Sequence, residues 1–298
     1  MSAPSPALQA PRRSPFDAVP PVALVVGGIG SVQFGAALAA TLFDELGAAG
    51  TVMLRIVVAA VLLGALSRPR VQGRSAEQRR LVVLFGFALA GMNLSFYEAL
   101  DRIPLGVAVT LEMVGPLTVA VATSRRALDL VWVAVAAAGI LLLSGGVGSD
   151  LDGLGVLLAF VAGGFWAAYI LLSARSGAAF SGGDGLALAM AVGAALLLPV
   201  GLADGGSALL QPELLALGAS VAVLSSVIPY TLELEALRRM PTRLFGVLMS
   251  LEPGVAALAG YVVLDQRLSA LEILAIVLVV LASVGATRSA RREHLARD

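Results

Sequence analysis

Apolar residues run through this chain in stretches of roughly 17–25, the length at which a helix crosses a hydrocarbon core of about 30 Å. Ten such stretches can be marked, near 19–42, 48–66, 80–99, 104–123, 129–147, 153–173, 185–203, 213–235, 242–264 and 269–287. Between them lie short polar loops, with a Pro/Ser-rich leader from Met1 to Asp17 before them and a basic tail from Arg288 after them. The pattern predicts an all-α membrane protein of ten transmembrane helices and leaves no stretch for a soluble domain. Arg12 and Arg13 ahead of an apolar run, with Ala37-Leu38-Ala39 behind it, have the layout of a cleaved export signal. A first span of roughly 24 residues is long for a signal core, however, and the other nine spans need no cleavage.

The chain also repeats itself. Glu98-Ala99-Leu100-Asp101-Arg102-Ile103-Pro104 matches Glu235-Ala236-Leu237-Arg238-Arg239-Met240-Pro241 without a gap, and Pro116 then matches Pro253, each pair 137 positions apart. Spans three and four therefore correspond to spans eight and nine. Five spans per unit is an odd number, so the second unit lies upside down relative to the first. Such inverted repeats place a substrate site near the midplane and alternate access by rocking one half against the other. The expected organisation is a cytoplasmic leader (1–18), a first five-helix repeat (19–147), a second (148–287) and a basic cytoplasmic tail (288–298). Small residues recur every fourth position in span one (Gly27, Ser31, Gly35, Ala39) and span six (Ala159, Gly163, Ala167). They read as faces for close helix approach.

Composition agrees with the pattern: 58% hydrophobic and 13% charged residues, against roughly 45–50% and about 25% in soluble domains, and a mean hydropathy of +0.93. Every basic residue is arginine. Cytoplasmic loops carry the basic excess, and with ten spans and both termini inside, only Arg102 and Arg267 fall in outer loops. Asp44, Glu45, Asp150, Asp152, Asp204 and Glu213 fall outside. Cysteine is absent, which removes disulfides, thiolate metal sites and cysteine nucleophiles.

Ionisable groups deep in a bilayer cost roughly 2.5–3.5 kcal/mol on insertion scales, so each is a functional candidate. Arg55 lies in span two, Glu112 near the middle of span four and Glu252 near the middle of span nine. Each glutamate precedes a repeat proline, Pro116 or Pro253. Proline removes a backbone donor, which a membrane helix tolerates where neighbours or a wet cavity satisfy the freed carbonyl. Either carboxylate can hold a proton or a substrate ammonium; either can equally be a structural ion pair or a protonated hydrogen-bonding group. Arg55 can hold a substrate carboxylate through its planar fork or serve as counter-ion to Glu112 or Glu252. Asn93, Tyr97 and Tyr230 can add neutral hydrogen bonds to a cavity. Trp166 and Tyr169 read as packing aromatics, and the pattern assigns nothing to Gln33. Glu98, Glu233, Glu235 and Glu272 stand close enough to span ends to reach water.

An enzyme lacks its parts here. The single histidine, His294, is in the tail, and the chain has no G-x-S-x-G elbow, Walker loop or metal-spaced pair. Gly145-Gly146-Val147-Gly148 does not continue into a dinucleotide fingerprint. A passive channel fares no better, since no polar stripe lines a pore. No catalytic residue, metal, cofactor, nucleic acid or obligate protein partner is expected.

Across Gly91 to Val133 and Pro241 to Gly260 the sequence resembles the EamA-type drug/metabolite transporters. Within that superfamily it is most similar to the bacterial threonine/homoserine exporter subgroup. The Ser-Arg-Arg loop (Ser124 to Arg126) with the Pro-Thr-Arg stretch (Pro241 to Arg243) carries the narrower likeness. The resemblance runs over Val19 to Thr287 and implies a multi-pass inner-membrane protein that exports small neutral amino acids on the proton gradient. The alternative is a broader metabolite or drug efflux transporter, and a remote one an intramembrane enzyme. The expected partners are an amino acid, protons and the lipid bilayer. Arg55, Glu112 and Glu252 fall within matching stretches, whereas Glu98, Asp101 and Arg102 look peculiar to this chain. Independently of the family, a zwitterion fits the residues: Arg55 for its carboxylate, a midplane glutamate for its ammonium and for the coupling proton.

Overall fold

The computed structural model describes residues 19–70, 72–122, 127–145, 151–180, 183–240, 245 and 248–294. The leader with Arg12 and Arg13, the Ser124–Arg126 loop and the Pro241–Arg243 stretch lie outside the described residues. Among those described, every regular element is helical: α1 (Pro21–Ala40), α2 (Phe43–Ser67), α3 (Ala76–Leu100), α4 (Leu105–Glu112), α5 (Val114–Ala122) and α6 (Ala127–Gly145). Then come α7 (Gly153–Ala179), α8 (Asp184–Gly205), α9 (Pro212–Ala222), α10 (Ile228–Arg239), α11 (Glu252–Leu264) and α12 (Ala270–His294). Among the described residues, six helical stretches are long and apolar enough to cross a membrane: Pro21–Ala40, Phe43–Ser67, Ala76–Leu100, Gly153–Ala179, Asp184–Leu210 and Pro212–Glu233. Four shorter apolar helices, Leu105–Val119, Val131–Ile140, Glu252–Leu264 and Ala270–Gly285, fall on the remaining predicted stretches.

Polar side chains fix several helix starts. Ser75 and Gln78 exchange hydrogen bonds in a capping box at the start of α3. Asp152 Oδ1 accepts from the N–H of Leu154 (2.7 Å) and Gly155 (2.9 Å) at the start of α7. Within α2 the chain turns at Gly47, whose φ of 67° suits glycine. Beyond that turn Asp204, at the end of α8, accepts from Ala49 N (3.0 Å) and Gly50 N (3.3 Å). Asp204, read from sequence as an outer-loop charge, is thus a remote cap.

Three predicted spans are not continuous, and each interruption stands beside a proline. Span four breaks at Met113 between α4 and α5, ahead of Pro116. Span eight carries a π-helical turn at Val223–Val227 ahead of Pro229. Span nine turns at residues 250–251, ahead of Pro253. A proline ring blocks the carbonyl four residues earlier and offers it no donor, which opens the helix at that point.

Packing follows a crossed pattern. α2 lies along α8 and α6 along α12, whereas α1 packs on α10 and α11, and α7 on α3, α4 and α5. The small-residue stripes serve these contacts. On α1, Gly28 faces Glu233, Gly35 faces Ser225, and Ser31 Oγ donates to Leu224 O at 2.6 Å. On α7, Gly155 faces Ile103 and Gly163 faces the backbone of Glu112. Large apolar side chains such as Val26, Phe87, Leu157, Leu198, Tyr261 and Leu281 are exposed, while Gln33, Asn93, Thr110, Glu112, Ser225 and Glu252 are buried. Apolar outside and polar inside reverses the soluble pattern and is what a lipid solvent selects.

Candidate functional site

The helix interruptions converge on one cavity of about 290 Å³. The carbonyls that lose their donor four residues on belong to Glu112, Ser225 and Met249, opposite Pro116, Pro229 and Pro253 in turn. All three residues line that cavity. Glu112 is the last residue of α4 and Glu252 the first of α11, each 8% exposed. α1 contributes Gln33, α2 Arg55, α3 Asn93 and Phe96, α7 Trp166 and Tyr169, and α10 Glu233.

Arg55 is the cation of this cavity. Its Nη1 donates to Tyr97 Oη at 2.9 Å, and its guanidinium carbon lies 5.4 Å from the centroid of the Tyr97 ring. Tyr97 itself is fully buried and also stacks at a tilt against Phe43, with centroids 5.7 Å apart. Arg55 is within electrostatic reach of Glu112, and Glu252 is within reach of both Glu112 and Glu233. Its Nε is buried without a hydrogen-bond partner among the described residues.

The structure therefore brings together Arg55, Glu112, Glu252 and Asn93 at the cavity wall, with Tyr97 behind Arg55. Asn93 already spends one amide donor on Leu89 O, at 2.8 Å. Tyr230 sits in α10, and its side chain lies outside the described residues. Two aromatics assigned to packing, Trp166 and Tyr169, line the cavity instead; Tyr169 also stacks on Phe85 at 5.3 Å.

Glu233 is the residue that the sequence reading misplaced. Of the four acidic residues expected at span ends, three engage local partners. Glu98 pairs with Arg102 at 3.3 Å and Glu235 with Arg239 at 3.4 Å. Glu272 accepts from Ser269 N at 2.7 Å in a cap. Among the described residues Glu233 has no such partner, because α10 continues to Arg239 and carries it inside, one turn beyond Pro229 and against Gly28. The signal available in the sequence was that proline, one turn upstream of a carboxylate.

Among the described residues no group of three His, Cys, Asp or Glu side chains is arranged to hold a metal ion. The cavity offers one planar cation, three carboxylates and neutral hydrogen-bonding groups inside an aromatic and aliphatic wall. That combination is complementary in charge to a small zwitterionic solute.

Residues 153–288 match the EamA-like transporter family. Over 275 residues the chain is 41% identical to the threonine/homoserine exporter RhtA of Salmonella typhimurium, covering 92% of this chain and 93% of that one. It is 40% identical over 280 residues to the protein of the same name in Escherichia coli, covering 93% and 95%. A protein known from a crystal structure, 19% identical, shares the fold with a TM-score of 0.59 over 91% of this chain and 98% of its own.

Proposed function

Because the chain belongs to the EamA-like transporter family, we propose that it is a secondary active exporter of small neutral amino acids of the threonine and homoserine kind, driven by proton antiport. The observation that carries this reading is the single cavity in which Arg55 stands with Glu112, Glu233 and Glu252. Arg55 holds the substrate carboxylate through its fork, in an orientation set by Tyr97. Glu252 holds the ammonium when ionised and exchanges it for a proton taken from the outer side. Relatives named as threonine/homoserine exporters at about 40% identity over more than nine-tenths of the chain support the substrate class.

Alternating access by two inverted five-helix repeats, residues 19–147 and 148–287, is the motion that fits this site. Four features support it. Three pairs related by the 137-residue offset, Met92 and Pro229, Phe96 and Glu233, Glu112 and Met249, all line the cavity. The ion pairs Glu98–Arg102 and Glu235–Arg239 are the same pair displaced by that offset. The turn at Met113 recurs at Ser250. The helix contacts exchange as the repeat requires, α1 on α10 and α11 answering α7 on α3 and α5. The arginine asymmetry supports both termini lying on the cytoplasmic side of a bacterial inner membrane.

The test is transport by the full chain in proteoliposomes with labelled threonine, homoserine and a panel of other amino acids, with and without a pH gradient. Glu252→Gln keeps size and hydrogen bonding but cannot ionise. It should insert and fold as the wild type does and lose pH-driven uptake in inside-out vesicles. Wild-type rate and pH dependence in Glu252→Gln would remove Glu252 from the coupling role and leave Glu112 to fill it.

A further inference from the structure

Two neutral side chains in the cavity wall remain unaccounted for by the charged groups. Gln33 is 3% exposed and Ser225 is 7% exposed. Both line the cavity. Gln33 Oε1 and Ser225 Oγ have no hydrogen-bond partner among the described residues. Buried polar groups left unpaired lower stability and call for a reason.

Their placement is built rather than incidental. Ser31 Oγ ties α1 to Leu224 O at 2.6 Å, one residue before Ser225. Gly35 presses on the Ser225 hydroxyl so closely that any side chain at position 35 would displace it. Gln33 lies two residues from each anchor, on the other side of α1, and reaches the same cavity from there. The π-helical turn at Val223–Val227, closed by Pro229, is what brings Ser225 to the wall, and such turns recur at functional sites.

We propose that Gln33 and Ser225 form a subsite for the side-chain hydroxyl of the substrate, and so select hydroxylated amino acids over their deoxy counterparts. The chemistry is complementary: a substrate hydroxyl donates to Gln33 Oε1 and accepts from Ser225 Oγ. An ionic group finds better partners in Arg55, Glu252 and Glu233 in the same cavity, which leaves Gln33 and Ser225 to a neutral donor and acceptor. The inference rests on the amino-acid export reading above and adds to it the group that sets specificity. Ser226 serves as a built-in comparison, since its hydroxyl is also buried and without a partner among the described residues but does not border the cavity.

The experiment uses the full chain in proteoliposomes and compares L-threonine with L-2-aminobutyrate, which lacks only the hydroxyl. A wild-type preference of roughly 10- to 100-fold in kcat/KM is expected, the discrimination that stranding buried polar groups produces. Gln33→Met and Ser225→Ala should each bring that preference to within a few-fold of unity by raising the threonine KM, while Ser226→Ala leaves it intact. Melting in detergent supplies the control for folding: both cavity variants should melt at or above the wild-type temperature, because each deletes an unpaired group. A wild type that does not distinguish the two amino acids, or variants that keep the preference, would overturn the subsite and leave amino-acid export standing. If the wild type moves no amino acid, the export reading fails, and protection from melting by ethanolamine against ethylamine decides the subsite alone. A larger shift with ethanolamine that Ser225→Ala abolishes would uphold it; equal shifts would end it.

Discussion

Tyr97→Phe removes one oxygen from the fully buried side chain that orients Arg55. The ring stays, so its contact with Phe43 and its place beneath the guanidinium stay with it. What goes is the 2.9 Å hydrogen bond from Arg55 Nη1. A hydrogen bond to a charged group is worth about 1.5–3 kcal/mol, or roughly 10- to 150-fold in affinity at about 1.4 kcal/mol per decade. Arg55 borders the cavity and can turn toward Glu112, which recovers part of this, so a loss of about 10-fold is expected. Because the interaction orients a binding group before transport begins, the loss should fall on the threonine KM with kcat little changed. Proteoliposomes with quantified protein supply both constants. Arg55→Lys should lose more, since an ammonium cannot offer two parallel donors to a carboxylate. Adding Tyr97→Phe to Arg55→Lys should then cost little further, since the two act through one contact. Fully additive losses, or a wild-type KM in Tyr97→Phe, would refute the positioning role.

Other perturbations test the frame around the site. Asp204→Ala strands the N–H groups of Ala49 and Gly50, and the loss of such a cap, about 0.5–2 kcal/mol, should lower the melting temperature by several degrees without changing substrate preference. Gly163→Ala drives a methyl group into the Glu112 carbonyl; overpacking of about 1–3 kcal/mol should depress both melting temperature and transport. Gly164→Ala, which meets no neighbour, should be neutral in both. In this cysteine-free chain, cysteines placed at Gln72 and Ser289 should be shielded from an impermeant thiol reagent in intact cells and one at Asp150 should react. Labelling at Ser289 would exclude a cytoplasmic C-terminus.

The apolar stretches were legible because a membrane span announces itself by length and by the scarcity of charge, and the deep residues Arg55, Glu112 and Glu252 stood out against that background for the same reason. The interruptions beside Pro116 and Pro253 could be expected, but the π-helical turn before Pro229 could not, because nothing in hydropathy marks a change of helical period. Glu233 was misplaced by an uncertainty of a few residues in where span eight ends, and those few residues decide whether a carboxylate meets water or a cavity. Tyr97 was legible as polar but not as the partner of Arg55, which lies 42 positions away on another helix. Gln33 and Ser225 carry no charge and break no pattern; only the packing of α1 on the turn before α10 brings both to one cavity. Asp204 shows the same limit at a helix end, since the backbone it caps lies 154 and 155 positions away.

The crossed packing of α1 has a consequence for how the chain is made. Ser31 and its acceptor, the carbonyl of Leu224, are 193 positions apart. At a synthesis rate of about 5–20 residues per second, the wait between their emergence is about 10 to 40 seconds. For that interval the face of Gly27, Gly28, Ser31 and Gly35 stands open to lipid or to the insertion machinery, with the helices meant to cover it still untranslated. The first helix therefore cannot reach its final packing until the chain from α9 to α11 is made, and a ribosome that stalls before α9 leaves a membrane-embedded fragment whose first helix lacks its main partners.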